Sequence, residues 1–469
     1  MSGPLILGTN SIKDTSYDVA NSVRLDGSSA YMTRTMGTPT NTDKYTFSFW
    51  VKRSKFGVQQ SIFRSTDDGT NDSHVTFQSD DTLRFEEYGG LSSIGKLQTN
   101  QVFRDPSAWY HIVLVYDSGN ATAGNRMRMY VNGTEVTSFG TDNNPSSGAN
   151  SFFNKDGESL HLGRTSYSGG ANYFSGYLAE VVMCDGQALD PTSFGEFDSD
   201  SPNIWKPKDL SGLTFGNNGF YLDFQDSGDL GDDESGNGND FTESGLAAID
   251  QTTDTCTNNF MTLNPLASDS GVTLSEGNTE SDFDASVGNA KGNFGLTKGR
   301  WYWEVNILNA ASYYPMIGIG SMNQSAMQNP TGGSYPGGFT DSYGVYGNSL
   351  RQYANGVNEG NQGSNYGTGD IFGIYLDLES STKTIKWYKN GSEVLSDDIV
   401  NAGDDYPYTC LDYNGGEGAV NVAYNFGNPA YTISSGNADD NGYGNFEYSP
   451  NISSTKYYSV CTKNIKEFG

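Results

Sequence analysis

The sequence is poor in basic residues. It contains 27 lysines and arginines against 56 acidic residues, which gives a formal net charge of −29. Proteins bind phosphate backbones through basic surfaces, so this balance excludes nucleic acid as an expected partner. It also disfavours docking on an anionic membrane surface. An acidic surface of this kind keeps a tyrosine-rich protein from self-associating.

Long apolar runs are also missing. No stretch approaches the ~18 consecutive apolar residues that a membrane-spanning helix needs. The N-terminus, MSGPLILGTNSIKD, lacks a basic start and has only a short apolar run, so it is not typical of a secretory signal. We therefore expect a chain made in the cytoplasm without a signal peptide or membrane insertion, or one that leaves the cell by a route other than a cleaved signal.

Cysteine is scarce. The four cysteines are scattered, and no pair has the C-x-x-C spacing that places two sulfurs around one metal ion. They are Cys184, Cys256, Cys410 and Cys461. We expect isolated, reduced thiols.

Aromatic residues and glycine are abundant. The chain has 30 tyrosines, 25 phenylalanines and 59 glycines. Aromatic and β-branched runs interrupted by Gly and Asn are typical of all-β domains with many turns. At 469 residues the chain is too long for one compact core, so we expect two or more domains.

In the first half, strands are predicted from alternation. YTFSFWVKR (45–53) places alternate apolar residues on one face, whereas WYHIVLVYD (109–117) is apolar on both faces, as in a central strand. RMRMYVNGTEV (126–136) is a hairpin pattern in which Asn132-Gly133 suits a type I′ turn. FSGYLAEVVMCDG (174–186) is a further strand, and Asp190-Pro191 predicts the start of a short helix.

The second half repeats the scheme. Strands are predicted in WYWEVNI (301–307), YPMIGIGS (314–321), DIFGIYLDL (370–378) and VNVAYNFG (420–427). TIKWYKNGSEV (384–394) is a second Asn-Gly hairpin.

These patterns predict an all-β fold made of two antiparallel β-sandwiches in series. We expect an N-terminal segment (1–20), a first sandwich (21–200), an acidic Gly/Asn-rich bridge packing partly on it (201–290), a second sandwich (291–430) and a C-terminal tail (431–469).

Both sandwiches resemble known families. VRLDGSSAYMTRT (23–35), YTFSFWVKR, WYHIVLVYD, RMRMYVNG, HLGR (161–164) and FSGYLAEV follow the order and spacing of a laminin G-like, concanavalin A-type jelly roll. GRWYWEV, IGIGS, GDIFGIYLDL, TIKWYKNG and VNVAYNFG follow the strand order of SPRY domains.

A chain that joins these two domain types is similar to virion structural proteins of tailed phages, particularly marine ones. Three further segments contribute to this resemblance: FRDPSAWYH (103–111), GQALDPTSFGEFD (186–198) and SGNGNDF (235–241). The resemblance implies a virion location, other virion proteins as partners, and a homo-oligomer, for which we expect a trimer. The sequence shows neither a long trimeric shaft repeat nor a tail-anchoring module, so the part of the particle that carries it stays open.

The concanavalin A-type fold also hosts glucanases, which place carboxylates on one strand in an E-x-D-x-x-E pattern. Glycosidases need two carboxyl groups ~5–9 Å apart. No such pattern occurs, and Glu180 and Asp185 are spaced to lie on opposite strand faces. His74, His111 and His161 are expected to be structural, since no nucleophile-elbow motif accompanies them. We expect a protein that is not an enzyme.

The acidic loop DLGDDESGNGNDF (229–241) offers oxygen ligands for calcium, although its spacing matches no known calcium loop. The candidate ligands are Asp232, Asp233, Glu234, Asn237 and Asp240. The alternative is a solvated turn, because Asp, Asn and Gly are turn residues. No other cofactor is expected.

A Tyr/Gly/Ser/Asn-rich stretch (311–368) is the candidate recognition surface, because antibody paratopes use this composition. The tyrosines are Tyr313, Tyr314, Tyr335, Tyr343, Tyr346, Tyr353 and Tyr366. The alternative is that several of them are core residues.

The sequence therefore predicts a tail-fibre or spike-like component that binds a host-surface glycan or protein without catalysis. One alternative is a capsid decoration or tail adaptor protein acting only in particle assembly and stability. A polysaccharide depolymerase is the third hypothesis.

Overall fold

The protein folds into two compact units that divide between Thr257 and Asn258. The computed structural model describes residues 17–66, 70–165, 172–283, 287–310, 315–328, 334–400, 406–415 and 418–469. Among these residues, no helix has the length and apolar character needed to cross a membrane.

The first unit consists of short antiparallel strands. They are β1 (Ser22–Asp26), β2 (Tyr31–Thr35), β3 (Lys44–Arg53), β4 (Gln60–Thr66), β5 (Asp72–Phe77), β6 (Thr82–Gly89), β7 (Ser92–Val102), β8 (Trp109–Asp117), β9 (Met127–Val131), β10 (Thr134–Glu135), β11 (Phe139–Asn143), β12 (Ser159–Leu162), β13 (Ser175–Asp185), β14 (Gly195–Phe197), β15 (Trp205–Pro207), β16 (Phe220–Leu222), β17 (Thr242–Ser244) and β18 (Gln251–Thr252). Sheet A has the order β10-β9-β8-β3-β13-β1-β18, with β16 paired to β13. Sheet B has the order β11-β7-β6-β5-β4-β12-β2-β17, and β14 and β15 form a separate ribbon.

The second unit repeats the two-sheet plan. Its elements are β19 (Thr273–Ser275), β20 (Glu280–Asp282), β21 (Val287–Lys291), β22 (Arg300–Asn309), β23 (Met316–Ser321), α1 (Ser325–Gln328), β24 (Ser342–Tyr346), β25 (Arg351–Ala354), β26 (Val357–Asn361), β27 (Ile371–Asp377), β28 (Thr384–Lys389), β29 (Ser392–Asp398), β30 (Tyr408–Gly415), β31 (Asn421–Asn425), β32 (Tyr458–Ser459) and α2 (Thr462–Phe468). Sheet C has the order β19-β20-β31-β22-β27-β28-β29, with β32 parallel to β22. Sheet D has the order β21-β30-β23-β24-β25-β26. The predicted all-β fold with two sandwiches is confirmed.

The core of the first unit lies between its sheets. Alternate residues of β3 (Tyr45, Phe47, Phe49 and Val51) are fully buried there, as their spacing predicts. The apolar residues on the other face of β8 are buried as well, because residues after β13 cover the outer side of sheet A. This covering layer explains why WYHIVLVYD is apolar on both faces.

The predicted bridge is divided between the units. Its first part belongs to the first unit, where β16, β17 and β18 pair with β13, β2 and β1. Its last part contributes β19, β20 and β21 to the second unit.

The predicted helix after Asp190 is a single 3-10 turn over Pro191–Ser193, with Asp190 accepting a hydrogen bond from the Thr192 N–H. All four cysteines are free and buried, which confirms the expectation of isolated thiols.

Both Asn-Gly hairpins have the predicted left-handed turn. Asn132 and Gly133 have φ values of 47° and 76°, and Asn390 and Gly391 have 49° and 79°. Each Asn side chain accepts a hydrogen bond from a strand N–H, at 2.8 Å from His111 and 2.9 Å from Ile371. A Cβ at Gly133 would overlap the ring of Trp205, so the turn also supports a later segment.

A polar network centred on Glu87 interrupts the core of the first unit. Its carboxylate accepts hydrogen bonds from Tyr45 at 2.8 Å and Ser151 at 2.6 Å, and from Ser73. Burial raises the pKa of Glu87 to about 7, although these hydrogen bonds lower it in part.

This buried carboxyl group predicts a pH dependence of stability. Between about pH 4.5 and about pH 7, the unfolded chain has released the proton that the folded chain keeps, so the free energy of unfolding falls by roughly 3 kcal/mol as pH rises. Glu87→Gln has no proton to release and should lose this decline. The measurement is urea unfolding of the full chain at about pH 5 and about pH 8, monitored by hydrogen exchange in β5 and β6. The same change at the exposed Glu135 is the control, and an unaltered pH profile in Glu87→Gln would contradict the prediction.

The C-terminal tail packs on sheet C. Tyr302 and Tyr375 from the sheet are buried together with Phe446 and Tyr457 from the tail. Glu304 on β22 binds the same segment, because its carboxylate accepts hydrogen bonds from the backbone N–H groups of residues 447 and 448 at 3.0 and 2.7 Å. The tail is thus an integral part of the second unit.

Candidate functional site

The outward face of sheet B carries a continuous row of polar side chains. Directly opposed residues on neighbouring strands form it: Thr242 (β17), Thr33 (β2), His161 (β12), Arg64 (β4), His74 (β5), Glu86 (β6) and Lys96 (β7). Their sequence neighbours on the inward face, such as Phe63, Val75, Phe85 and Leu97, are core residues. Alternation therefore places charge on one side of these strands and apolar side chains on the other.

Close ion pairs connect the middle of this row. Arg64 lies 2.5 Å from Asp72, and the two ring nitrogens of His74 lie 3.3 Å from carboxylate oxygens of Asp72 and Glu86. Lys96 approaches Glu86 to 3.8 Å. The histidine is thus held between two carboxylates, and the carboxylates are held by cations.

These five side chains, together with Arg84 and Tyr88, line an opening of about 370 Å³. That volume lies within the range of small-ligand sites, roughly 300–1,000 Å³. We call the seven residues the charged opening.

The charges of the opening shift each other's pKa values. Burial lowers the pKa of His74, but hydrogen bonding and Coulomb attraction to Asp72 and Glu86 outweigh it, so the net pKa is raised. Burial raises the pKa of Glu86, but His74 and Lys96 outweigh it and the net pKa is lowered. Both groups therefore favour their charged forms.

Further along the row the surroundings are positive. Burial and the charges of Arg164 and Arg64 lower the pKa of His161 to about 4, so this ring is neutral near pH 7. The Arg164 guanidinium lies 3.5 Å from the centre of the Tyr31 ring, a cation–π contact at the edge of the same face.

This arrangement suits binding better than hydrolysis. A glycosidase general acid needs a raised pKa so that it holds a proton near neutral pH. The pKa of Glu86 is lowered instead. Glu180 does have a pKa raised to about 7 by burial, but Tyr17 and Tyr221 bind it at 3.2 and 2.9 Å, away from the charged opening.

Glu180 and Asp185 do not face a common groove. Glu180 lies in a bulge of β13, with a φ of 49°, and its partner Tyr221 belongs to the covering layer outside sheet A. Asp185 binds the Asn154 side chain and the N–H groups of Thr40 and Asn218. Each carboxylate is engaged separately.

The predicted tyrosine surface is only partly assembled. Tyr343 and Tyr366 are core residues of the second unit. Tyr335 and Tyr353 are half-buried and contact each other edge-on with ring centres 5.5 Å apart, and Tyr346 is half-buried on β24. Tyr313 and Tyr314 lie outside the described residues. The core alternative holds for Tyr343 and Tyr366, and a recognition role for the other tyrosines stays a prediction.

The acidic loop is organised around one of the five candidate calcium ligands. Asp233 is buried and accepts hydrogen bonds from the N–H groups of Tyr221, Ser235 and Asn239 at 2.8 to 2.9 Å. Asp232, Glu234, Asn237 and Asp240 are exposed. Within the described ranges, no three His, Cys, Asp or Glu side chains are grouped so that they could hold a metal ion. Calcium binding here stays a prediction without a ligand cluster to support it.

The charged opening was not predicted from the sequence. The pattern that could have indicated it is the alternation in DSHVTF and TLRFEEYG, where charged residues alternate with Val75, Phe77, Leu83 and Phe85. Of the three histidines, only His111 is fully enclosed as a structural group, bonded to Ser48 and Trp205 at 2.9 Å each.

Comparisons with known families agree with the two-sandwich architecture. Residues 26–192 match the laminin G-type model described as the concanavalin A-like lectin/glucanases superfamily, and residues 300–424 match the SPRY domain. The two domain resemblances seen in the sequence are confirmed. Domains of these kinds are usually binding modules. A search of curated protein sequences finds no match.

Solved structures are similar to parts of the chain. A heptameric SAP-like pentraxin from Limulus polyphemus is 19% identical over 37% of this chain and 80% of its own, with a TM-score of 0.29. A human SPRY domain is 18% identical over 35% of this chain and 98% of its own, with a TM-score of 0.27. A Bacteroides ovatus protein with a provisionally assigned carbohydrate-binding role is 15% identical over 50% of this chain and 60% of its own, with a TM-score of 0.31. At such values nothing about ligands transfers from them to this chain.

Proposed function

We propose that this chain is a non-catalytic glycan-binding protein of a tailed-phage particle. The charged opening on sheet B holds the sugar. The observation that carries the binding role is the opening itself, in which charged and hydrogen-bonding side chains line one depression together with Tyr88. Sugar hydroxyls bind to such groups, and sugar rings stack on aromatic faces.

The particle setting depends on the sequence resemblance to virion proteins. Under this proposal the chain acts in the virion as a tail-fibre or spike-like component and contacts other virion proteins. It forms a homo-oligomer, a trimer in the simplest case, so that several weak glycan sites act together.

A glycan array with the full chain tests the proposal. Arg84 is the residue to change, because it lines the opening and its side chain is only partly exposed. We expect Arg84→Gln to weaken binding about 10-fold, the loss of one charged hydrogen bond of roughly 1.5 kcal/mol. Tyr88→Ala should weaken it similarly by removing an aromatic wall.

Arg128→Gln is the matched control. Arg128 lies on β9 of sheet A, where its side chain bonds the Tyr130 hydroxyl at 2.9 Å, so binding should not change. A silent array, or equal losses in Arg84→Gln and Arg128→Gln, would overturn the proposal. Loss of binding only in Tyr335→Ala and Tyr353→Ala would move the site to the second unit.

A further inference from the structure

The charged opening has the opposite sign to the protein. It contains three fixed cations (Arg64, Arg84 and Lys96) and two carboxylates (Asp72 and Glu86), a local balance of +1 before His74 is counted. The chain as a whole has a formal charge of −29. An anionic group is therefore repelled by most of the surface and attracted here.

Several polar atoms of the opening have unused hydrogen-bonding capacity. Arg64 Nε and Asp72 Oδ1 are buried and have no hydrogen-bond partner within the described part of the chain. Arg84 Nη1 and Lys96 Nζ come no closer to Glu86 than 3.6 and 3.8 Å. Buried polar atoms without partners are costly, so they favour a ligand that supplies both acceptors and a donor.

The neighbouring part of the row extends the positive field. Arg164 Nε and His161 Nδ1 are also buried without a hydrogen-bond partner among the described residues. The positive charges of Arg164 and Arg64 contribute to the lowered pKa of His161. The anionic preference thus has support from a second place on the same face.

We propose that the charged opening selects a sugar that carries a carboxylate. Arg64, Arg84 and Lys96 bind the carboxylate, Asp72 accepts a hydrogen bond from a sugar hydroxyl, and His74 adds a positive charge as the pH falls. This assignment rests on the proposed glycan-binding function and names its ligand class.

The pH dependence follows from the groups around His74. Those facing it are Asp72 on its own strand, Arg64 on β4, Arg84, Glu86 and Tyr88 on β6, Lys96 on β7 and, one strand further, His161 on β12. Because the net pKa of His74 is raised, the ring gains its proton at a higher pH than an unperturbed histidine does. His161, with a pKa of about 4, is neutral near pH 7.

The test uses two polymers that differ only at the carboxyl group, polygalacturonate and its methyl ester. We expect polygalacturonate to bind at least about 10-fold more tightly near pH 6, the contribution expected of one charge-assisted contact. Arg84→Gln should reduce this preference, whereas Arg128→Gln should keep it. His74→Gln should keep the preference but lose the tightening that is expected as the pH falls and the His74 ring gains its proton.

The outcomes separate this inference from the proposed function. Equal binding of the two polymers overturns the carboxylate assignment and leaves glycan binding intact. Tighter binding of dextran sulfate than of polygalacturonate also overturns it, because the site would then select a sulfate. Absence of binding to every glycan overturns both.

Discussion

Asp254→Leu is expected to destabilise the first unit by about 3–5 kcal/mol, because it leaves a buried lysine without its counter-ion. Lys52 Nζ lies 2.7 Å from Asp254 Oδ2, and both side chains are 1% exposed. Trp109 donates a further hydrogen bond to the same carboxylate at 3.1 Å. The loss of stability is measured by urea unfolding of the full chain, monitored by hydrogen exchange in β3 and β13.

The double variant Lys52→Met/Asp254→Leu is the decisive comparison. Replacing both members of a buried pair with apolar residues is often neutral or stabilising, so the double variant should recover most of the loss. Burial lowers the pKa of Lys52, and removing Asp254 removes the attraction that opposes this. In Asp254→Leu the unfolded chain then binds more protons than the folded chain, so stability should rise with pH. Equal losses in the single and double variants would contradict the argument.

Glu304→Leu is expected to cost about 3 kcal/mol in the second unit and to release the tail, because several buried donors lose one acceptor. Besides the N–H groups of Glu447 and Tyr448, the Tyr302 hydroxyl and the Asn425 amide donate to this carboxylate at 2.9 and 3.1 Å. Limited proteolysis should then cut between 431 and 457, where we expect the unmodified protein to be protected.

Glu447→Gln provides the matched control for that variant. Only the backbone of Glu447 binds Glu304, whereas its side chain bonds Ser434 on the same segment. We expect a change below about 0.5 kcal/mol and no new cleavage. If Glu304→Leu and Glu447→Gln were cleaved alike, Glu304 would not be the group that holds the tail.

Much of the fold could be predicted from the sequence, because several strands alternate clearly. Trp301, Trp303, Val305 and Ile307 all enter the core of the second unit as their spacing indicates. The turn conformation at both Asn-Gly pairs was also predictable, since only residues tolerant of positive φ fit there. Local sequence determines both features.

Sheet B was harder to predict because its strands are rich in charge. In TLRFEEYG the inward position after Phe85 is Glu87, a buried carboxyl that breaks the apolar alternation. The covering layer of sheet A was equally hard, since Trp205 and Cys256 pack there through tertiary contacts. No local pattern specifies which distant segment will cover a sheet.

The charged opening could not be predicted from the sequence as a site. Arg64, His74, Glu86 and Lys96 meet only because four strands pair in a particular register. A shift by one residue in any of these pairings would break the row. For Tyr343 and Tyr366, composition suggested recognition, but burial in the core determines their role.

The long sequence separation between Lys52 and Asp254 affects how the protein is made. The two residues are 202 positions apart, and β13, which separates β3 from β1 in sheet A, is also synthesised late. At ribosomal rates of ≈ 5–20 residues per second, Lys52 is made roughly 10–40 s before its partner. Until residues 175–185 have been made, sheet A lacks β13, and its covering layer, which extends to Cys256, is completed only at the end of the interval. Exposed apolar strands of this kind aggregate or bind chaperones, so the nascent first unit is at its most vulnerable before residue 254 is reached.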